Sequence, residues 1–144
     1  MSFSVVVLAA GQGTRMSSSK PKALQTLAGK PMLSHVLTES NKVKPDQTIV
    51  VHSPGHEDLV KSAATNFNKI KFVAQKQPLG TGDAVKAAIP SLNKENNVLV
   101  LLGDVPMVKA KTLKALKEGI ENVDILILTT KLEKPFGYGR IKRD

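Results

Sequence analysis

The first strand of the chain and the loop after it constrain the fold most strongly. An apolar run over residues 5–8 breaks into residues that carry almost no side chain: Ala9, Ala10, Gly11 and Gly13. Such residues let the main chain approach a ligand closely, and glycine adopts a positive φ at little cost. Because backbone N–H groups are then free to face an anion, the pattern predicts a phosphate-binding loop after the first strand of an α/β fold.

Three cations follow in the same loop, namely Arg15, Lys20 and Lys22. Arginine offers a planar fork that matches phosphate oxygens, whereas lysine supplies a compact charge on a flexible stem. Pro21 stiffens the segment that presents both lysines. The loop therefore predicts a nucleoside triphosphate site, and the alternative is a tight glycine turn flanked by solvated cations.

Two named phosphate-binding motifs do not fit this loop. A Walker loop needs a Gly-Lys pair at a fixed spacing that does not occur here, and a dinucleotide fingerprint needs a third glycine where Arg15 and Met16 stand. The sequence therefore favours neither a P-loop ATPase nor a dinucleotide-dependent dehydrogenase.

Size and composition predict one domain in a reducing compartment. The chain has 144 residues and no cysteine, which excludes a disulfide framework, a thiolate nucleophile and a cysteine zinc site. No apolar run approaches the roughly 20 residues that span a bilayer, and the chain starts directly in a strand. We expect a cytoplasmic protein that does not bind a membrane.

The net charge of +9 raises the alternative of a nucleic-acid binder. However, the lysines are scattered along the chain, aromatic residues make up only 3%, and Tyr138 is the single tyrosine. A surface without stacking aromatics is a poor platform for single-stranded nucleic acid. We therefore expect no nucleic-acid partner.

Strand-like and helix-like segments alternate along the chain. The hydrophobic patterns predict strands over 3–8, 48–52, 70–74, 97–102 and 123–129, and helices over 31–41, 57–67, 81–89 and 111–120. This alternation predicts a Rossmann-like, doubly wound, mainly parallel sheet with helices on both faces. Residues 98–102 are apolar throughout, as is typical of a central parallel strand.

In such sheets a ligand binds beyond the carboxyl ends of the strands. Loops 11–22, 75–83 and 103–106 should share that rim. In the second loop, Gln75 or Gln77 has the donors and acceptors to read a nucleobase edge, and Gly80 would let a base lie against the backbone. Thr81 either caps the following helix or contacts a ligand.

The third loop places Asp104 at the end of the most apolar strand. A carboxylate there is suited to hold Mg²⁺, which takes one or two protein carboxylates together with phosphate and water oxygens. A turn-forming aspartate is the alternative. The three histidines lack paired zinc-ligand spacing, so no zinc site is predicted.

Several motifs, in order along the chain, resemble sugar-phosphate nucleotidyltransferases of the MobA-like NTP transferase superfamily, and within it the uridylyltransferase (pyrophosphorylase) domain of the bifunctional enzymes that make UDP-N-acetylglucosamine. The segments that carry the resemblance are 8–16, 20–22, 27–32, 80–82, 103–106 and 136–141. It implies transfer of UMP from UTP to N-acetylglucosamine 1-phosphate with release of pyrophosphate, in the service of peptidoglycan and cell-envelope synthesis.

The resemblance also implies roles for individual residues. Arg15 and Lys22 would be catalytic and hold the triphosphate, and Asp104 would bind Mg²⁺. Gly103 and Gly139 would lie on the sugar-phosphate side. The nucleotide would be bound by residues of the first two loops: Leu8, Ala9, Ala10, Gly11, Gly13, Thr14, Arg15, Lys22, Gln75, Gly80 and Thr81.

Members of this family continue beyond the last motif seen here, with further sugar-binding residues, a second metal ligand and usually an acetyltransferase domain. We therefore expect residues 1–144 to form the first part of a nucleotidyltransferase domain, without an acetyltransferase domain. Three alternatives stay open: a homo-oligomer that completes the acceptor site, a nucleotidyltransferase for another base or sugar phosphate, and a non-catalytic nucleotide-binding module.

Overall fold

A computed structural model describes residues 2–11, 13 and 20–142 of the chain. Strands and helices alternate through most of it. The strands are β1 (Phe3–Leu8), β2 (Thr26–Leu27), β3 (Lys30–Pro31), β4 (Gln47–His52), β5 (Ile70–Ala74) and β6 (Asn97–Leu102). The α-helices are α1 (Met32–Asn41), α2 (Glu57–Ala63), α3 (Thr81–Ala88) and α4 (Ala110–Gly119). Short 3-10 turns cover Lys22–Leu24, Ile89–Ser91 and Ile120–Asn122.

Four of the strands form one parallel sheet in the order β5-β4-β1-β6. In register, Val6 of β1 lies between Ile49 of β4 and Val100 of β6. The chain winds outwards from β1 first in one direction and then in the other, so the strand order reverses between β1 and β6. This is the Rossmann-like α/β fold that the sequence predicts, and a ligand crevice is expected where the order reverses.

Helices cover both faces of the sheet, as predicted. On one face α1, α2 and α4 pack over side chains such as Val5 and Val7, and on the other α3 packs over Val6 and Ile49. All six residues of β1 are buried. Full burial of each valine or leucine contributes roughly 1.5–3 kcal/mol, so β1 anchors the residues that follow it.

A two-stranded hairpin, β2–β3, leads into α1 and was not predicted. Its turn residues Ala28 and Gly29 both have positive φ, 47° and 79°, as a two-residue hairpin turn requires. Pro31 pairs with Thr26 and has a ψ of 142°, so it immediately precedes α1 rather than opening its first turn as expected.

The predicted strand over 123–129 is wrong, because the structure has no regular element there. Among the described residues no strand pairs with this segment, and Ile125, Ile127 and Leu128 are exposed. Strand propensity alone does not form a strand when the backbone groups have no ladder partner. The helix predicted over 57–67 is also too long, since α2 ends at Ala63 and the backbone leaves the helical region at Ala64.

The expectation that 98–102 forms a central strand is wrong as well. In the described part of the chain β6 is an edge strand that pairs only with β1. Val98, Val100 and Leu102 point to the α3 side of the sheet and are exposed, because α3 covers β1 and β4 and does not reach β6. Across the described residues, we find no helix with the length and apolar character to cross a membrane.

Candidate active site

A cavity of about 460 Å³ opens at the carboxyl ends of the strands, where the strand order reverses. Ten predicted site residues line it. Six come from β1 and the first loop: Leu8, Ala9, Ala10, Gly11, Gly13 and Lys22. Four come from the other two loops: Gln75, Gly80, Thr81 and Asp104. Residues of all three loops thus line one cavity, which confirms the prediction that these loops meet at one edge of the sheet.

The backbone of the first loop is fixed at both of its ends. The N–H of Ala9 donates to the Val51 carbonyl at 2.7 Å, and the N–H of Lys22 donates to the Gly11 carbonyl at 3.1 Å. Gly13 has a φ of +60°, and a Cβ there would lie only 3.0 Å from Lys22 Cβ. These contacts place Lys22 beside the small residues that follow β1.

Lys22 and Asp104, which both line the cavity, form an ion pair. Lys22 Nζ lies 2.6 Å from Asp104 Oδ2, and the two side chains are 46% and 28% exposed. Partial exposure leaves both charged groups accessible to a ligand. The cation predicted to hold phosphate and the carboxylate predicted to hold Mg²⁺ are therefore immediate neighbours.

Gly103, the residue before Asp104, holds the end of β6 against the end of β1. Its N–H donates to the Leu8 carbonyl at 2.8 Å, which extends the β1–β6 pairing by one more hydrogen bond. A Cβ at this position would lie 2.9 Å from Leu8 O and 3.1 Å from Ala23 Cβ. Only glycine fits between the two strand ends without displacement, and Asp104 follows directly.

The second loop ends at the first turn of α3. Gly80 precedes the helix with a φ of 104°, and Thr81 is the first helical residue. The interpretation of Thr81 as the capping residue is wrong, because Gly80 occupies that position and no side chain caps the helix. Thr81 instead lines the cavity.

Gln75 immediately follows β5 and is 6% exposed. Its backbone N–H donates to the His52 carbonyl at 2.8 Å. Its side-chain Nε2 donates to Gly80 O at 3.1 Å and to Asp83 Oδ2 at 2.8 Å. The side chain is therefore held against the start of α3, at the wall of the cavity.

Two predicted sugar-side residues do not line the cavity. Gly103 packs between the strand ends, and Gly139 lies in the irregular segment after α4, near the Arg140 side chain that donates to Pro135 O. Their predicted roles, like those of Thr14 and Arg15, stay predictions; Thr14 and Arg15 fall outside the described residues.

Sequence reasoning missed four residues of the cavity wall: Ala23, Pro78, Ala84 and Leu102. Their apolar side chains are indistinguishable from core residues in the sequence. Only their positions, at a strand end or beside a glycine loop, could have indicated them.

Asp104 fits a hard divalent cation as a single ligand. Its carboxylate is partly exposed and faces the cavity, and oxygen is the donor that Mg²⁺ prefers. No group of three or more potential metal ligands occurs in the part of the chain that the structure describes. A metal here would therefore depend on Asp104 together with ligand and water oxygens.

A curated relative matches this chain over nearly its whole length. The bifunctional protein GlmU of Nitrosomonas europaea is 50% identical over 140 residues, which cover 97% of this chain and 30% of that protein. The chain thus spans about 30% of the length of this curated relative.

Two solved structures share the fold at lower identity. Rv0371C of Mycobacterium tuberculosis, solved as a complex with manganese, gives a TM-score of 0.67 at 23% identity, over 82% of this chain and 59% of that one. A UDP-glucose pyrophosphorylase complexed with UDP-glucose gives 0.66 at 20% identity, over 83% and 54%. The family model described as the MobA-like NTP transferase domain matches residues 5–140. The chain belongs to the MobA-like NTP transferase family.

Proposed function

We propose that this chain binds UTP and transfers UMP to N-acetylglucosamine 1-phosphate, giving UDP-N-acetylglucosamine and pyrophosphate. The observation that carries the proposal is the convergence of Lys22, Gln75 and Asp104, from three separate loops, on one cavity walled by the bare backbone after β1. The motif resemblance and the 50% identity to a GlmU protein support this choice of base and sugar.

In the proposed reaction an oxygen of the sugar 1-phosphate attacks the α-phosphorus of UTP in line. A bond forms between that oxygen and the α-phosphorus, and the bond from the α-phosphorus to the bridging oxygen breaks. Its electron pair leaves with pyrophosphate. The chemistry needs no protein nucleophile, so the protein contributes positioning and charge stabilisation.

Lys22 is the described cation best placed for that task. Its ammonium reaches the cavity and exchanges Asp104 for phosphate oxygens when the nucleotide binds. We propose Arg15 as a second phosphate ligand on the resemblance alone. Gly103 and Gly139 remain proposed for the sugar side.

Asp104 would hold Mg²⁺, with the remaining ligands supplied by phosphate and water oxygens. When bound, the ion neutralises charge on the triphosphate. We propose Mg²⁺ as that ion, and the manganese complex of a structural neighbour supports a divalent metal in this fold.

We further propose that residues 1–144 constitute the nucleotide-binding part of a nucleotidyltransferase domain that acts in the cytoplasm. Nucleotide binding without transfer is a second candidate function. It is favoured by one observation: the predicted residues that line the cavity belong to the nucleotide and metal sides, whereas Gly103 and Gly139 do not line it.

A pyrophosphate-release assay with UTP, Mg²⁺ and N-acetylglucosamine 1-phosphate tests the proposal, alongside calorimetric binding of UTP. Release that depends on both substrates supports transfer. Binding without release supports the second candidate, and release with another nucleotide or sugar phosphate identifies a different nucleotidyltransferase.

If no nucleoside triphosphate binds, both candidates are wrong. The mass of the protein in solution should be measured in the same samples, because a homo-oligomer could complete the acceptor side.

A further inference from the structure

The Gln75 side chain is almost fully buried and yet polar, so its hydrogen bonds decide how it is oriented. Both of the contacts made by Nε2 go to oxygen atoms, one on the Gly80 carbonyl and one on the Asp83 carboxylate. The amide nitrogen has two hydrogens, and both are thereby used.

The orientation of this amide follows from the chemistry of its partners. A carbonyl and a carboxylate only accept hydrogen bonds, so the opposite orientation would place Oε1 against two acceptors. Gly80 supplies one acceptor from the backbone. Asp83, in the first turn of α3, supplies the charged one at the shorter distance of 2.8 Å.

The other end of the amide is Oε1. Within the described part of the chain, no hydrogen bond to Gln75 Oε1 is found and no buried side-chain nitrogen or oxygen lacks a partner. Oε1 is therefore accessible, and Gln75 lines the cavity. At this point the cavity wall offers a hydrogen-bond acceptor.

Resting on the proposed function, we propose that Asp83 is a positioning residue for base selection. It holds the Gln75 amide so that Oε1 accepts a hydrogen bond from a ring N–H of the nucleobase. Uracil carries such a donor at N3, whereas N3 of cytosine is an acceptor and would meet the lone pairs of Oε1. The site therefore selects UTP over CTP.

Asp83→Asn tests the proposal, because an asparagine amide can present either a donor or an acceptor to Gln75. The variant thus removes the charged one of the two acceptors that oppose a rotated amide and leaves the Gly80 carbonyl, so rotation of the Gln75 amide to offer its NH₂ group to cytosine costs less than in the wild type. The Kd values for UTP and CTP should be measured by calorimetry on the wild type and the variant.

We expect the wild type to bind UTP at least about 10-fold more tightly than CTP. A tenfold ratio of Kd values corresponds to about 1.4 kcal/mol, and leaving one buried polar contact unpaired costs at least that much. Asp83→Asn should reduce that ratio by at least about 5-fold. Asp83→Glu, whose carboxylate only accepts hydrogen bonds as that of aspartate does, should retain part of the preference for UTP.

Asp58→Asn is the matched control, since Asp58 is an exposed acidic residue in the first turn of α2, outside the cavity. It should leave the ratio unchanged. If Asp83→Asn weakens UTP and CTP equally, Asp83 merely stabilises the start of α3 and the inference is wrong.

A second measurement needs no variant. UTP methylated at N3 lacks the ring donor and should bind the wild type at least about 10-fold more weakly than UTP. Equal binding of the two would overturn the inference while leaving the proposed function intact. Failure of every nucleotide to bind would instead refute the proposed function, and the inference with it.

Discussion

Lys22 Nζ and Asp104 Oδ2 lie 2.6 Å apart and join the first loop to the third at the wall of the cavity. The pair is partly exposed, and such pairs contribute about 0–1 kcal/mol, so ligands can replace it at little cost. In the proposed function, a metal at Asp104 would compete with Lys22, and a triphosphate at Lys22 would compete with Asp104. Each ligand therefore releases the group that the other needs, and we expect their binding to be mutually favourable.

The effect of Mg²⁺ on UTP binding should require the Asp104 carboxylate. Adding Mg²⁺ is expected to strengthen UTP binding at least about 10-fold in the wild type and less than about 3-fold in Asp104→Asn, because the variant keeps the side-chain shape and loses the charge. Calorimetric titrations with and without Mg²⁺ measure both effects, with Asp58→Asn as the control. A full Mg²⁺ effect in Asp104→Asn would show that the metal is held elsewhere.

Close packing of strand ends makes Gly103 a stability determinant. Gly103→Ala would place a methyl group 2.9 Å from Leu8 O, and we expect it to lower the free energy of unfolding by about 1–3 kcal/mol. Gly82→Ala, where nothing lies within 4 Å of the added atom, should be neutral or stabilising. Urea unfolding of both variants checks this. An unchanged midpoint for Gly103→Ala would mean that β1 and β6 are not packed as described.

Glu39 links α1 to the start of α4 and should make stability depend on pH. The Lys42 ammonium and the Ala110 N–H both donate to this carboxylate and hold its pKa below the ordinary 4.5. A carboxyl group whose pKa is lowered by folding stabilises the fold above about pH 4.5, and that stabilisation is lost as the pH falls through the lower folded value.

Glu39→Gln should therefore cost about 1 kcal/mol of unfolding free energy at neutral pH and progressively less as the pH falls below the ordinary value. Urea titrations at a series of pH values measure the difference. Glu118→Gln serves as the control, since the exposed Glu118 makes a long ion pair, with 3.9 Å between its Oε1 and Lys114 Nζ. A constant difference at every pH would contradict the account.

The sequence predicts β1, the loop after it and the meeting of three loops, because each depends on a local pattern and on one topological rule. It does not predict the hydrogen bonds between loops. The contact of Gln75 with Asp83 forms only when β5 and α3 are in place, and the two residue types do not indicate it in the sequence. The sequence therefore does not indicate Asp83 as a partner of Gln75, although Asp83 directly follows the Gly80-Thr81-Gly82 motif.

Burial explains why 123–129 is not a strand and why β6, a strand as predicted, lies at the edge of the sheet and not at its centre. Residues 98–102 and 123–129 both have strongly apolar patterns, but a pattern states only that a surface would favour burial and not that a partner covers it. The structure places Val100 beside fully buried Val6 in register, yet Val100 is 42% exposed because α3 does not extend over β6.

The UTP affinity of Lys22→Ala, measured by calorimetry in the presence of Mg²⁺, is the most direct test of the triphosphate site. Lys61→Ala is a close match, because Lys61 also forms a 2.6 Å ion pair and is 50% exposed, but belongs to α2 and does not line the cavity. We expect Lys22→Ala to bind UTP at least about 10-fold more weakly than the wild type, and Lys61→Ala to bind it unchanged. Equal affinities for all three proteins would contradict the assignment of this cavity as a triphosphate site.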